Sequence, residues 1–403
     1  MTADAPRVRV VWGNALNGYN FGPQHPMNPI RLELTARLCR DLGVFDSPGV
    51  QVVPPSKPDD ADDFLSWVHT DDYVEAVRAA SADPASADPA YGLGTEDDPA
   101  FAGMHDVSAL IAGSTVRLAQ DLWRDEIDHG VNFCGGLHHA MPGTASGFCI
   151  YNDIALGIQW LLDHGAERIV YVDVDVHHGD GVERVFWDDP RVMTISIHET
   201  GRVLFPGTGF PGDIGGPDAR GSAVNIALPP GTRDGSWLRA LHAVVPPLVR
   251  QFRPQVLVTQ QGCDSHYADP LAHMALSVDA QRAAYAALHG LAHEVAGGKW
   301  LAVGGGGYEL IDVVPRAWTH LTAIAAHRPI DLETELPAVW REHVQRTFDR
   351  PGPARMGDGQ AENGHVWWRS WESGVDPDDP VDQAVLATRT AVFPLHGLDV
   401  WFD

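Results

Sequence analysis

Two acids and an imidazole lie in the second half of one valine-rich stretch, residues 169–177. Asp173, Asp175 and His177 alternate there with valines, so in an extended chain their side chains would point the same way. Burying two acids and an imidazole together is costly unless a cation neutralises them. The pattern predicts a metal site. The alternative is an exposed, solvated strand end, which the flanking valines disfavour.

A second cluster, Gly135-Gly136-Leu137-His138-His139, places two imidazoles side by side on a glycine-rich loop. Adjacent histidines can be metal ligands, a proton-transfer pair or surface polar residues. Asp173 and Asp180 favour a functional pair, because each carboxylate could hold one imidazole Nδ1–H, fix its tautomer and tune its basicity.

A third acid, Asp264, follows the apolar run at residues 256–260. It is either a further metal ligand or a helix N-cap. With Asp175 and His177 it would give three protein ligands and one position open to water and substrate, as in catalytic zinc sites. The oxygen ligands would also accept Fe(II).

The fourth cluster is a run of four glycines followed by Tyr308. Four consecutive glycines forgo packing and increase the entropy lost on folding, which a protein tolerates where backbone must come close to another group. The tyrosine could donate its O–H to an oxyanion. The alternative is a flexible loop with a core tyrosine.

Strand-like and helix-like patterns alternate along the chain. The predicted strands cover residues 7–12, 130–133, 169–176, 192–197, 224–227, 256–260 and 300–303. The predicted helices include a first one starting near Pro29, two short ones within residues 60–80, and 102–123, 151–162, 236–251, 278–296 and 311–326. Such alternation indicates a parallel α/β sheet, whose sites form outside the carboxyl ends of the strands. The four clusters should therefore converge.

Composition limits the class of protein. A chain of 403 residues that is 44% hydrophobic can form one large α/β domain or two smaller ones. A net charge of -26 without a basic block disfavours direct contact with nucleic acid or an anionic membrane. The first residues show no basic region followed by an apolar core, and no later segment reaches transmembrane length without charge, proline or glycine. Four scattered cysteines without a CxxC pair fit reduced thiols, so we expect a soluble, cytoplasmic protein.

The sequence changes character after about residue 351. It becomes rich in proline, glycine and aspartate, with several tryptophans and no clear period. We predict a catalytic domain over residues 1–350 and a C-terminal extension, residues 351–403, that packs on it.

These motifs together resemble the zinc-dependent histone deacetylase superfamily, and within it the bacterial acetoin-utilization deacetylases. The resemblance runs from about Tyr19 to Ala326. The strings that carry it are His25-Pro26-Met27-Asn28-Pro29-Ile30-Arg31, Gly135-Gly136-Leu137-His138-His139-Ala140, Ala145-Ser146-Gly147-Phe148-Cys149, residues 173–181, Phe205-Pro206-Gly207-Thr208-Gly209, Gly262-Cys263-Asp264 and residues 304–308.

The resemblance implies a single-domain, arginase-like open α/β fold with a mainly parallel sheet flanked by helices. It also implies a role for each residue of the reacting centre. Zinc would be bound by Asp175, His177 and Asp264. His139 would be the general base, with His138 as its electrostatic partner, and Asp173 and Asp180 would support these two histidines. Tyr308 would donate a hydrogen bond to the oxyanion.

The same resemblance implies a substrate tunnel and a structural potassium ion. Gly147, Phe148 and Phe205 would form the tunnel, Asp97 or a neighbouring acid would hold the substrate backbone at the rim, and Arg31 with the glycines of residues 304–306 would line a channel for acetate release. Potassium would be held by Asp173, the Ser196 hydroxyl and the carbonyl oxygens of Asp175, His177 and Ile197. Leu204 departs from the family pattern, which often has an aromatic residue there.

The implied activity is hydrolysis of N-acetyl-lysine in an acetylated protein or peptide, such as a metabolic acyl-CoA synthetase. An acetylpolyamine or other small-amide hydrolase would use the same chemistry. A manganese ureohydrolase would need more metal ligands than these motifs supply. An inactive acyl-lysine binding module is disfavoured, because every catalytic position holds a competent residue. The sequence does not specify an oligomeric state.

Overall fold

A computed structural model describes residues 5–58 and 63–403 of the chain. Within these ranges, eight strands form one sheet, and every pair of neighbouring strands is parallel. Helices flank the sheet. The predicted single-domain, mainly parallel α/β fold is therefore confirmed.

The strand order across the sheet is β2-β1-β3-β8-β7-β4-β5-β6. The strands are β1 (Val8–Val11), β2 (Val50–Val53), β3 (His129–Asn132), β4 (Ile169–Asp173), β5 (Val192–Glu199), β6 (Ala223–Leu228), β7 (Val256–Gln260) and β8 (Trp300–Val303). The central strands β3, β8, β7, β4 and β5 are buried along their whole length. This burial on both faces explains why β4 and β7 are rich in valine, isoleucine and leucine.

Two strand predictions needed correction. Strand β2 was not predicted, because it lies at the sheet edge, is half-buried to exposed, and pairs with β1 alone. Strand β4 ends at Asp173, whereas the sequence suggested an extended chain through residue 176. Beyond Asp173 the backbone bends. Asp175 and His177 are therefore positioned by this bend, and not by a continued strand.

The helices are α1 (Ile30–Asp41), α2 (Asp71–Ala82), α3 (Met104–Trp123), α4 (Asp153–Asp163), α5 (Asp180–Val185), α6 (Asp234–Phe252), α7 (Val278–Val295), α8 (Val314–Ala325), α9 (Ala338–Phe348) and α10 (Pro380–Val392). All except α5, α9 and α10, which the sequence did not predict, lie close to the predicted positions. The two short helices predicted within residues 60–80 correspond to a 3₁₀ turn, Phe64–Trp67, and α2. The predicted start at residue 60 lies outside the described residues.

The last part of the chain contains α10, which the sequence pattern did not reveal. This helix is capped by Asp379, whose carboxylate accepts the amide N–H of Val381. It packs against β6 and α6. Its buried Asp382 accepts hydrogen bonds from Arg239 of α6 at 2.5 and 2.9 Å. The boundary at residue 350 stays a prediction.

The cysteines and the helices also bear on predictions made from the sequence. All four cysteines are buried, free thiols. Among the described residues, none of the helices combines the length and the hydropathy that crossing a membrane requires.

Candidate active site

The four polar clusters lie at the carboxyl ends of four adjacent strands, β3, β8, β7 and β4. The histidine pair follows β3, the acid–imidazole segment follows β4, Asp264 follows β7, and the glycine run follows β8. These strands are parallel neighbours, so the loops after them meet at one edge of the sheet. The structure thus brings together the clusters that the sequence predicted would converge.

Asp175, His177 and Asp264 form a buried group that we call the acid–imidazole triad. His177 Nδ1 lies 3.1 Å from Asp175 Oδ1 and 3.1 Å from Asp264 Oδ2. The two aspartates are fully buried, which excludes a solvated strand end. Asp264 lies in a turn, so it is not a helix N-cap.

The remaining carboxylate oxygens of the triad are held by fixed donors. Asp175 Oδ2 accepts hydrogen bonds from Gln260 Nε2 at 2.7 Å and from the amide of Gly306 at 2.8 Å. Asp264 Oδ1 accepts from the amide of Val176 at 2.9 Å. One oxygen of each aspartate is therefore left to face the His177 nitrogen, which is the donor set that a divalent cation uses.

The electrostatics of the triad also suit a cation. Burial and the adjacent Asp175 carboxylate raise the pKa of Asp264, because two buried negative charges repel each other. A bound divalent ion would offset both charges. The residues present therefore fit a metal ion, and their mixed oxygen and nitrogen donors fit zinc or Fe(II).

Gly306, in the glycine run after β8, lets the backbone approach the acid–imidazole triad closely. A Cβ atom at Gly306 would lie 1.9 Å from Asp264 Oδ2 and 2.9 Å from Asp175 Oδ2. Any other residue here would displace the triad. The predicted reason for the glycine run, close approach of backbone to another group, holds at this position.

The histidine pair forms two separate hydrogen-bonded dyads. His138 Nδ1 lies 2.7 Å from Asp173 Oδ2, and His139 Nδ1 lies 2.6 Å from Asp180 Oδ1. Both imidazoles are almost fully buried, and their ring centroids are 4.0 Å apart. The pairing of each histidine with its own aspartate is the arrangement that the sequence suggested, and it excludes surface polar residues.

The two dyads have opposite protonation behaviour. Burial opposes charge on His138, but the carboxylates of Asp173 and Asp175 outweigh it and raise the His138 pKa to about 9. For His139, burial and the adjacent His138 charge lower the pKa to about 4, against the pull of Asp180. At neutral pH, His138 is therefore protonated and His139 is a neutral base.

Residues that the sequence analysis missed hold these groups in place. Asp153, the first residue of α4, accepts the amide N–H groups of Gly136 and Leu137 at 3.0 and 2.8 Å and so fixes the loop before the histidine pair. Tyr171 donates to Asp173 Oδ2 at 2.6 Å. An acid at a helix start was the only available signal for Asp153, and the Gln260 amide gave no signal of chemistry.

A cavity of about 200 Å³ opens from the triad and the His139 dyad toward the surface. Its lining residues are Asp97, His139, Gly147, Phe148, His177, Leu204, Phe205, Leu271 and Tyr308. The predicted tunnel residues therefore lie together, with Leu271 as an addition from a distant loop. A Cβ atom at Gly147 would lie 2.6 Å from the His139 ring and 2.9 Å from the Phe205 ring, so a glycine is required there.

Tyr308 stands on the cavity wall with its ring edge-on to Phe148 at a centroid distance of 5.7 Å. Its backbone amide donates to Asp269 Oδ2 at 2.8 Å, a contact that the sequence did not predict. Burial and the carboxylates of Asp264 and Asp175 raise the Tyr308 pKa well above its usual value. The hydroxyl keeps its proton and remains a hydrogen-bond donor.

The structure distinguishes among the three consecutive acids at the rim. Asp97 is exposed and lines the cavity, whereas Asp98 is buried at 1% exposure. Burial and the neighbouring Asp97 raise the pKa of Asp98 to about 8. Glu96 is exposed and is not among the lining residues.

Arg31 is buried behind the cavity and holds the glycine run. Its Nη1 donates to the carbonyl oxygens of Gly305 and Gly307 at 2.9 and 3.0 Å. Its guanidinium also lies over the Trp318 ring at 5.0 Å. These contacts give Arg31 a positioning role, and a role in acetate release stays a prediction.

The residues predicted to hold potassium lie beside the His138 dyad. The register of β4 and β5 pairs Asp173 with Ser196, and Ile197 follows in β5. The Ser196 hydroxyl is 2.8 Å from His198 Nδ1 and accepts the amide of Gly179 at 3.4 Å. The strand register therefore places Asp173 beside Ser196, and the potassium ion stays a prediction.

A parallel α/β sheet that carries an acid–imidazole triad beside two buried histidine–aspartate dyads is typical of a metal-dependent hydrolase. Comparisons with known proteins agree. A family model described as histone deacetylase domain matches residues 25–325. The chain belongs to the histone deacetylase family.

Comparison with individual proteins shows which members of the family this chain resembles. The chain is 42% identical over 332 residues to the acetoin utilization protein AcuC of Bacillus subtilis (strain 168), covering 82% of this chain and 84% of that protein. It is 40% identical over 363 residues to AcuC of Staphylococcus aureus (strain MSSA476), and the match covers 89% of this chain and 92% of that protein. Among solved structures, an HDAC homologue complexed with SAHA is 26% identical with a TM-score of 0.78 and covers 95% of this chain and 100% of that one. The predicted resemblance to the bacterial acetoin-utilization proteins is confirmed.

Proposed function

We propose that this protein is a metal-dependent hydrolase that removes acetyl groups from N-acetyl-lysine side chains of proteins. The observation that carries the proposal is the cavity, which has aromatic side walls and a floor of acid–base groups. Phe148 and Phe205 provide apolar surface for an unbranched alkyl stem. His139, His177 and Tyr308 surround the position that an amide at the end of that stem would reach.

His139 acts as the general base and then as the general acid. Asp180 holds its Nδ1, so Nε2 is the atom left to exchange a proton. Because burial keeps His139 neutral, it can accept the proton of an attacking water. The same nitrogen then returns that proton to the departing lysine amine.

His138 is the electrostatic partner of His139. Asp173 keeps it protonated, and its Nε2 lies 3.9 Å from Asp175 Oδ2. This buried positive charge stabilises the negative charge that develops during attack on the amide. It also lowers the basicity of His139, which helps His139 release its proton to the leaving group.

The acid–imidazole triad would hold the metal, which we propose to be zinc, with Fe(II) as the alternative. When bound, the cation supplies Lewis-acid polarisation of the amide carbonyl and lowers the pKa of a water molecule. We also propose a structural potassium ion at Asp173 and Ser196, where it would fix the strand ends that carry the dyad of His138.

For the natural substrate we propose an acetylated metabolic enzyme such as an acyl-CoA synthetase. The support is the acetoin-utilization name shared by the relatives that cover most of the chain. Asp97, exposed at the cavity mouth, could accept hydrogen bonds from the backbone of a bound protein segment. The same acid and the net charge of -26 would also attract a cationic acetylpolyamine, which is the second candidate.

Side-by-side kinetics of the zinc-loaded protein on an acetyl-lysine peptide and an acetylpolyamine would test the proposal. We expect kcat/KM to be larger for the peptide by about tenfold or more, because a peptide backbone can use Asp97. Asp97→Asn should raise the peptide KM and leave kcat nearly unchanged. The opposite preference would favour the polyamine hydrolase, and no turnover of either substrate would contradict the proposal.

Tyr308→Phe is expected to reduce kcat about a hundredfold and to leave the metal content unchanged. The variant loses only the O–H donor to the oxyanion, which is typically worth a factor of about 10²–10³. Tyr267→Phe is a matched control, because Tyr267 is 62% exposed and does not line the cavity. Near-normal turnover in Tyr308→Phe would remove this hydroxyl from the mechanism.

A further inference from the structure

Four histidines converge at the end of the sheet opposite the candidate active site. His129 is the first residue of β3, His289 and His293 lie one turn apart on α7, and His327 follows the end of α8. One nitrogen from each lies within 4.8 Å of all the others. The active-site loops leave the carboxyl ends of the strands, whereas this four-histidine cluster lies where β3 begins.

Five of the six distances between the Nε2 atoms are short and nearly equal, as they are among the corners of a tetrahedron. His129 Nε2 is 3.0 Å from His327 Nε2 and 3.3 Å from the Nε2 atoms of His289 and His293. His293 Nε2 is 3.1 Å from His289 Nε2 and 3.2 Å from His327 Nε2. In a regular tetrahedron with edges of that length, the centre is about 2.0 Å from each corner, which matches the Zn–N distance of about 2.0–2.1 Å.

Hydrogen bonding among the imidazoles does not account for this geometry. A neutral imidazole has one N–H and one lone pair. If the Nε2 atoms carry protons, the protons point at one another; if they carry lone pairs, the lone pairs repel. A mixture satisfies at most two of the close contacts. A cation at the centre would accept all the lone pairs at once.

The protonation state and backbone are consistent with metal binding. Burial, with the neighbouring imidazoles, lowers the pKa of His129 to about 4 and that of His289 to about 3, so these side chains are neutral, the form that ligates metals. His327 has a φ of +55° just after α8, a position that usually favours glycine or asparagine. The chain keeps an imidazole there in spite of that preference.

We propose that the four-histidine cluster binds one divalent first-row transition metal, with zinc as the preferred ion. Four protein ligands complete a tetrahedron and leave no position for water or substrate, so the site is structural. The ion ties the start of β3 to α7 and to the end of α8. It is independent of the metal at the acid–imidazole triad and of the proposed deacetylation.

Zinc stoichiometry would test the proposal. Protein made without a histidine tag is stripped with a chelator and titrated with Zn²⁺. We expect two equivalents per chain in the wild type, one in His293→Ala, one in Asp264→Ala and none in the double variant. His365→Ala, which changes an exposed histidine elsewhere, should keep two. His293→Ala should keep wild-type turnover once the remaining site is loaded.

Cobalt spectroscopy and thermal unfolding give readouts besides stoichiometry. In the Asp264→Ala background, Co²⁺ should give the intense visible bands of a tetrahedral site, and Zn²⁺ should raise the unfolding temperature by several degrees. Both effects should vanish on adding His293→Ala. His327→Ala repeats the test at a second exposed position, where a loss of folding is not expected. A wild type that binds one equivalent, or a His293→Ala variant that binds two, would overturn the proposal.

Discussion

Asp264→Ala should abolish hydrolysis and reduce the metal content by one equivalent per chain. The substitution removes one of three protein ligands and leaves Asp175 and His177, which are too few for tight binding. Without the ion, neither the amide carbonyl nor a water would be activated. Metal analysis after dialysis, together with turnover of an acetyl-lysine peptide, measures both effects.

Asp264→Asn separates loss of the metal from loss of the fold. Its Oδ1 can still accept the amide of Val176, so the local backbone contact is retained. Because Asp264 and Asp175 repel each other, the metal-free Asn variant should unfold at no lower temperature than the metal-free wild type. A fully active Asp264→Ala enzyme would show that the triad is not the catalytic metal site.

His139→Ala should lower kcat by about a thousandfold while the metal stays bound. General acid–base catalysis by a positioned imidazole typically contributes a factor of about 10²–10⁴. His139 is not a member of the triad, and its nearest polar partner is Asp180. Turnover at saturating substrate, with metal content measured on the same sample, checks this result.

Two further readouts distinguish a base from a structural residue. Added imidazole should restore part of the activity of His139→Ala, since the truncated side chain leaves space that opens into the cavity. In the wild type, activity should persist below the usual histidine pKa of about 6.5, because His139 must be neutral and its pKa is lowered to about 4. Turnover in His139→Ala close to that of the wild type would exclude His139 as the base.

The sequence alone predicted the parallel sheet and most of the reacting groups. Strands buried on both sides read as continuous β-branched runs, and ligands in parallel sheets gather at the carboxyl ends of such strands. Local order was therefore enough to predict that His138, His139, Asp175, His177 and Asp264 would meet. It was not enough for the edge strand β2 or for α10, because these elements are held by contacts with distant parts of the chain.

Only the tertiary structure decided which residues support the site. Three adjacent acids look alike in the sequence, and Asp97 lines the cavity while Asp98 is buried because of how their loop packs. Gln260 and Asp153 became relevant through hydrogen bonds to groups far away in the chain. The four-histidine cluster is the clearest case: His129 and His327 stand 198 positions apart. No local pattern joins them, since their approach depends on the long-range packing of β3, α7 and α8.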